Sequence, residues 1–311
     1  MIIYWETLEK NAGDASVLPQ YMATDYFGGP GRIKSEDAYP LSPPYGAIRF
    51  QPATNQFLGF KKDSGWSALG GEAVEPSVDG WIEAGHTLVY ASADDPTFTF
   101  TIADLDATTI LSVGMRIKLT QTSVKYFIIT KIVFDDPGST ITVYGGTDYN
   151  LVDAEITLPY YSTNKAPLDF PLDPDKWTVK VTDVTNRSQS TPTSAVWYNL
   201  GSITVSIPIG VWRTYYKVSA GTGRTSTSIG ELYVTLSTAD NSESDADLTV
   251  WVDFSSATAA LYLYAALSAE KTFAVTSKTS YYLNTMTLGG ISISNINSKN
   301  KLIIRAICAY L

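Results

Sequence analysis

In stretch after stretch of this chain, apolar residues alternate one for one with hydroxyl or charged residues. "TFTFTIA" sets Phe98, Phe100 and Ile102 against Thr97, Thr99 and Thr101, and "MRIKLTQ" sets Met115, Ile117 and Leu119 against Arg116, Lys118 and Thr120. "GSITVSIP" does the same with Ile203, Val205 and Ile207 against Ser202, Thr204 and Ser206. "LYVTL" and "LTVWVDF" continue it through Leu232, Val234 and Leu236, then Leu248, Val250, Val252 and Phe254. A period of two puts alternate side chains on opposite faces of a strand and cannot build the 3.6-residue stripe of a helix. The turn between "KYFIITKIVF" and "STITVYGG" is Asp135-Asp136-Pro137-Gly138, each residue suited to a reversal. Only "SSATAALYLYAALSA" has the composition of a helix, and there Leu261 and Leu263 alternate with Tyr262 and Tyr264. That segment is read as strand, with helix as the alternative. The fold class expected is all-β.

With 311 residues, 44% apolar and 17% charged, the chain has room for two or three folded domains. Residues 1–75 are expected to form an attachment arm and a β-hairpin module. The first 45 residues, dense in Gly, Pro, Tyr and Asp, show neither period and suit an extended ribbon that docks on a neighbour. The hairpin is "GAIRFQPATNQFLGFKKDSGWSALGG", where the apolar runs 47–50 and 56–60 flank Pro52-Ala53-Thr54-Asn55. A lone two-stranded hairpin is marginal in water, and this one carries apolar side chains on both faces. "GEAVEPSVDG" is a linker leading to a small antiparallel β-barrel or sandwich over residues 76–188, which leaves through the extended, Pro-punctuated "APLDFPLDPDKW". Residues 189–311 are expected to form a C-terminal sandwich. Its closing strand, "KLIIRAICAYL", has Leu302, Ile304, Ala306 and Cys308 on one face and Ile303, Ile307 and Leu311 on the other. A strand apolar on both faces is expected to be covered on both, one cover being another subunit. No fixed-period repeat, heptad run or Gly-X-Y tract is present, so no long stalk is expected.

The net charge of −9 and the lack of a Lys/Arg cluster disfavour nucleic acid as a partner. No apolar stretch approaches a membrane-spanning helix, the acidic balance disfavours anionic membranes, and "MIIYWETLEK" lacks a signal peptide's basic start. One cysteine, Cys308, allows neither an internal disulfide nor a thiolate cluster and fits a product of the cytoplasm. One histidine, His86, gives no imidazole cage, and no G-x-S-x-G elbow offers it a serine. Asp94/Asp95 and Asp135/Asp136 precede Pro as turn residues, and Asp173/Asp175 form the third such group. "ADNSESDADL" lacks the glycine and terminal glutamate of an EF-hand loop and reads as a solvated hairpin tip. "GTGRTSTSIG" lacks the Lys-Ser/Thr ending of a phosphate loop and reads as a mobile connection. No catalytic residue, metal or cofactor is expected. The unusual feature is the 20 Tyr and 7 Trp. Tyr198, Trp212, Tyr215, Tyr216, Trp251 and Tyr262 alternate with apolar partners, so some must face outward to meet a subunit or a sugar ring. Trp212, Tyr215, Tyr216 and Trp251 are the candidates for surface binding.

The Gly46–Gly71 segment, with its Gly-x-Ile-Arg-Phe, Thr-Asn-Gln-Phe, Gly-Phe and Trp-x-x-Leu-Gly pieces, resembles a short hairpin module recurrent in tailed-bacteriophage fibres. The block from "TFTFTIADLDATT" to "PYYSTNKAPLDFP" is similar to a small β-domain of phage tail and neck-associated proteins. The end, from "GVWRTYYKVSA" to "LIIRAICAYL", is similar to jelly-roll heads of the tumour-necrosis-factor-like kind. The resemblance implies a trimeric, non-enzymatic virion protein made in the host cytoplasm. Its arm would meet other virion proteins, and its jelly-roll head a host-surface glycan or protein. Ile48, Phe50, Phe57, Phe60 and Trp66 are then expected at a symmetry axis or the virion surface, with Ile303, Ile307 and Leu311 at the subunit contact. The stalkless form favours a head fibre or capsid decoration spike over a tail-borne protein, and the jelly-roll head fits either. A free lectin and a polysaccharide depolymerase are the competing classes.

Overall fold

The computed structural model describes residues 78–311 except 202, 224–229, 255–261 and 296–297, together with the backbone of three strands before residue 70. The chain divides into two compact units, Met1–Glu75 and Pro76–Leu311. In the first, β1 (Ile48–Gln51), β2 (Gln56–Lys61) and β3 (Gly65–Ala68) form an antiparallel meander. Phe50 stands opposite Phe57, Ile48 opposite Gly59, and Phe60 opposite Trp66. The expected hairpin thus has a third strand, which answers the marginal stability of two. The arm before residue 46, and the side-chain surroundings expected for Ile48, Phe50, Phe57, Phe60 and Trp66, lie outside the described residues.

The second unit opens with a seven-stranded antiparallel sheet. Its strands are β4 (Ile82–Glu83), β5 (Val89–Asp94), β6 (Thr97–Ile102), β7 (Arg116–Gln121), β8 (Ser123–Asp135), β9 (Gly138–Tyr144) and β10 (Thr157–Ser162), in the order β4-β10-β7-β8-β9-β6-β5. The apolar set of each alternation is buried, Phe98, Phe100, Ile102, Ile117 and Leu119 lying with Phe127, Ile129, Ile141 and Val143 in one core, while Thr97 and Arg116 of the polar sets are buried as well. The pleat lets neighbouring residues of β8 serve two cores, Ile129 this one and Ile128 the next.

Ten strands follow: β11 (Thr178–Asp183), β12 (Arg187–Ser190), β13 (Thr204–Ile207), β14 (Gly210–Gly223), β15 (Gly230–Ser237), β16 (Thr249–Phe254), β17 (Tyr262–Val275), β18 (Thr279–Leu288), β19 (Ser292–Asn295) and β20 (Leu302–Cys308). One sheet runs β13-β18-β15-β16. In the other, β17 takes one edge of β14 along its whole length, while β20 and β19 share the opposite edge and bring in β11 and β12. Apart from the short β12 and β19, β14·β20 and β15·β18 join four antiparallel pairs into the two sheets, and those four are β11·β20, β13·β18, β14·β17 and β15·β16. Each pair nests inside the one before along the chain, as if one long hairpin were rolled up, and that is the winding of a jelly roll. Residues 262–275 are strand, as their alternation required.

The pairing places β11, ahead of the expected boundary at 188/189, and β12, which straddles it, in the jelly-roll sheet. The core ignores that boundary too. Trp81, Ile128, Tyr144, Phe170 and Trp177 are buried together with Trp212, Tyr216, Leu232, Val234, Ile304 and Cys308. Tyr144 meets Trp212 edge-on at 5.0 Å, and Phe170 stacks on Trp177 at 5.0 Å. The expected extended exit contains a 3₁₀ turn, Pro174–Trp177, because Asp173 caps it by accepting from the Asp175 N–H and Pro174 fills the first position. No helix among the described residues is long and apolar enough to cross a membrane.

Candidate functional site: an aromatic platform on the jelly roll

On β15 and β16 the inward positions are Leu232, Val234, Val250 and Val252. The pleat therefore turns Glu231, Tyr233 and Thr235, with Thr249, Trp251 and Asp253, to the outer face. The register sets Tyr233 directly opposite Trp251 and Glu231 directly opposite Asp253. Trp251 is 58% exposed. Its ring stacks beside that of Tyr233, with centroids 6.2 Å apart and planes 26° from parallel. Trp197 meets Tyr233 edge-on at 6.4 Å. It is brought there by a bridge in which Tyr198 and Thr285 exchange N–H···O bonds of 2.9 Å, laying the segment along β18. The Tyr233 hydroxyl donates to the Glu231 carboxylate. That hydrogen bond, then desolvation and the charges of Glu231, Asp253 and Glu243, push the phenol up to about 12. The platform thus offers an exposed indole face, a protonated phenol and a rim of carboxylates. It can stack on a sugar ring and accept its hydroxyl hydrogens.

The other surface candidates fare differently. Trp212 and Tyr216 are fully buried, which corrects their expected place on the surface. The Trp212 indole N–H donates to the Pro208 carbonyl at 2.7 Å, and the Tyr216 hydroxyl lies 3.0 Å from the carbonyl oxygens of both Val234 and Leu248. The signal was in the phase of "VWRTYYKV": Arg213, Tyr215 and Lys217 share one face, so Trp212, Tyr216 and Val218 take the other. Tyr215 does face outward, under the Arg305 guanidinium 5.1 Å from its ring centre. Ile303 and Ile307 are half-buried on that same outer face, opposite Lys217 and Arg213 respectively. Their surroundings are mixed and charged rather than a continuous apolar sheet. Leu311 packs against the main core, so it does not share a face with Ile303 and Ile307 as expected. Trp197 and Tyr233 were not singled out from the sequence. The phase of "ELYVTL" would have marked Tyr233, whereas Trp197 comes to it only through tertiary pairing.

Farther along the same sheet the outer face is uncharged. Tyr264 pairs with Gly221, which pairs with Ser294 and then Ser188; Tyr262 pairs with Gly223, then Ser292 and Ser190. Both tyrosines are exposed, and their rings lie against the bare backbone of the glycines.

The remaining polar clusters are spoken for by the fold. Asp245 caps the 3₁₀ turn Ala246–Leu248, and Lys271 bridges Asp245 and Asp247 at 2.7 and 2.9 Å. Asp94 pairs with Lys278 at 2.6 Å. His86 is exposed in a loop, and residues 224–229 of "GTGRTSTSIG" lie outside the described residues. Among the described residues no group of three or more His, Cys, Asp or Glu could hold a metal ion.

No protein-family model matches the chain, and no curated protein matches it. Among solved structures, one of infectious bursal disease virus, Gx strain, aligns with 85% of this chain and 65% of its own, at a TM-score of 0.28 and 10% identity. The VP2 subviral particle of the same virus aligns with 84% of this chain and 67% of its own, at 0.22 and 11%. Dimeric latent PorU from Porphyromonas gingivalis aligns with 73% of this chain and 24% of its own, at 0.24 and 9%. The chain spans 65% of the first of these and about a quarter of the last. Likeness this slight carries no argument about fold or function.

Proposed function

We propose that the chain is a non-enzymatic structural protein of a virus particle, a homotrimer whose jelly roll adheres to a host-surface glycan through the Trp197–Tyr233–Trp251 platform. The N-terminal unit, which holds the fibre-like hairpin module, attaches it to other virion proteins. The observation that carries the adhesive part is the Trp251 ring, 58% exposed yet held beside Tyr233 on a sheet rather than a loop. A large aromatic fixed at low entropic cost is well suited to stacking, and three copies on one axis raise weak affinity through effective concentration. Trp251→Ala in the full chain is expected to lower binding to host cells by about tenfold or more, with unchanged β-sheet circular dichroism. Wild-type binding by that variant would overturn the adhesive reading. Release of oligosaccharides from host polysaccharide would overturn the non-enzymatic one. The missing stalk pattern favours a second reading, a decoration protein of the capsid surface. Particles lacking the protein would then lose heat stability while adsorbing normally.

A further inference from the structure

We infer that the ligand seated on Trp251 carries an ammonium group, as an amino sugar with a free amine does. This rests on the adhesive reading of the platform and adds the chemical class of its ligand. Trp and Tyr ring faces are electron-rich and attract a cation held over them. Trp251 leaves such a face open to solvent, and the carboxylates of Asp253, next along its own face of β16, and Glu231 border it. Glu231 and Asp253 stand directly opposite one another, their Cβ atoms about 5 Å apart in such a pair. Like charges in that relation repel, and a cation between them relieves the repulsion. Elsewhere the chain supplies that cation itself: Lys271 for Asp245 and Asp247, Arg187 for Asp183, Lys278 for Asp94. Among the described residues, none does so for Glu231 or Asp253. The Tyr233 phenol keeps its proton at neutral pH and gives it to Glu231 in a hydrogen bond, so it adds no charge of its own. An anionic sugar meets repulsion at this rim, and a neutral one gains stacking and hydroxyl hydrogen bonds but no charge attraction.

The test is titration calorimetry of the full chain with a glucosamine oligosaccharide and with its fully N-acetylated counterpart, at mildly acidic pH. The free amine is expected to bind about tenfold more tightly, with the advantage shrinking as salt is added. Glu231→Gln with Asp253→Asn, which keeps hydrogen-bond acceptors at both sites, should bring the two ligands to within about twofold. Equal affinity of the two oligosaccharides for the unmodified chain, or a preference that survives the double variant, overturns the inference. So does binding of the amino oligosaccharide that ignores Trp251→Ala, since that would be attraction to the net charge alone. If Trp251→Ala abolishes host adhesion while the two oligosaccharides bind alike, only the ligand class is wrong. If it leaves host adhesion intact, the platform's adhesive role fails as well.

Discussion

Arg116 has no exposed surface and makes no ion pair with a carboxylate among the described residues. Its guanidinium instead donates to three carbonyls, those of Lys165 (3.1 Å), Gly114 (2.6 Å) and Tyr310 (3.0 Å), and lies over the Phe170 ring at 4.8 Å. Three donors aimed in fixed directions are what a guanidinium has and an ammonium lacks. They join the loops around the seven-stranded sheet to the segment after β20. Arg116→Ala leaves three part-buried carbonyls without their donor and should cost about 2–3 kcal/mol in urea denaturation. Arg116→Lys should recover only part of that. A loss under about 1 kcal/mol for the alanine variant would show that water satisfies those carbonyls. A second residue-scale effect concerns alkaline pH. Burial pushes the Cys308 thiol from 9.0 up to about 11, and the Glu231 hydrogen bond pushes Tyr233 from 10.0 up to about 12. Burial raises Tyr144 and Tyr216 as well. Each folded value lies above the unfolded one, so the stabilisation is whole below about pH 9 and fades as pH climbs through 11 to 12. The urea midpoint should therefore hold steady from neutrality to about pH 9 and fall above it. A midpoint that stays level to pH 11 would contradict these shifts.

At the scale of the element, β14 and β17 form a fourteen-residue pair that ends in Gly221 opposite Tyr264 and Gly223 opposite Tyr262. A Cβ at Gly221 would fall 2.5 Å from the Leu263 carbonyl oxygen and 2.6 Å from Cε1 of Tyr264. Glycine is required there because a ring and a neighbouring backbone already occupy the space, as happens where aromatics cover strand glycines. Gly221→Ala is expected to destabilise the jelly roll by about 1–3 kcal/mol through overpacking. Adding Tyr264→Ala should recover only a fraction, because the carbonyl contact remains. Full recovery in the double variant would show that the ring alone set the requirement.

For the whole molecule, the issue is how copies carrying a net charge of −9 can meet. Contact between like-charged molecules is least opposed where charge is absent. The expected contact at Ile303 and Ile307 sits among Lys217, Arg213 and Arg305, whereas the Tyr262/Tyr264 end of that sheet face pairs only with glycine and serine. If the proposed trimer forms through this end, Tyr262→Glu with Tyr264→Glu should shift sedimentation from trimer to monomer while the circular dichroism is unchanged. An undisturbed trimer would place the contact elsewhere on the chain, and a monomeric parent would remove it.

The sequence by itself determined that this chain is all-β and which residues of each strand point to a core, because a period of two leaves one choice once either face is buried. It also marked Trp251, whose neighbours Val250 and Val252 fix its phase, and Cys308 as an interior residue. It could not rank Trp212 and Tyr216 against Tyr215 until the charges of Arg213 and Lys217 were weighed within the same strand. The long-range pairings were beyond it. Hydrogen bonds between strands carry no local signature of their partners, so the nesting of β11·β20 around β15·β16 was decided only in three dimensions. The same holds for the arrival of Trp197 beside Tyr233, and for the single core that joins Trp177 to Trp212 across an expected domain boundary. Burial follows local pattern, but which buried faces meet is settled by the packing of the whole chain.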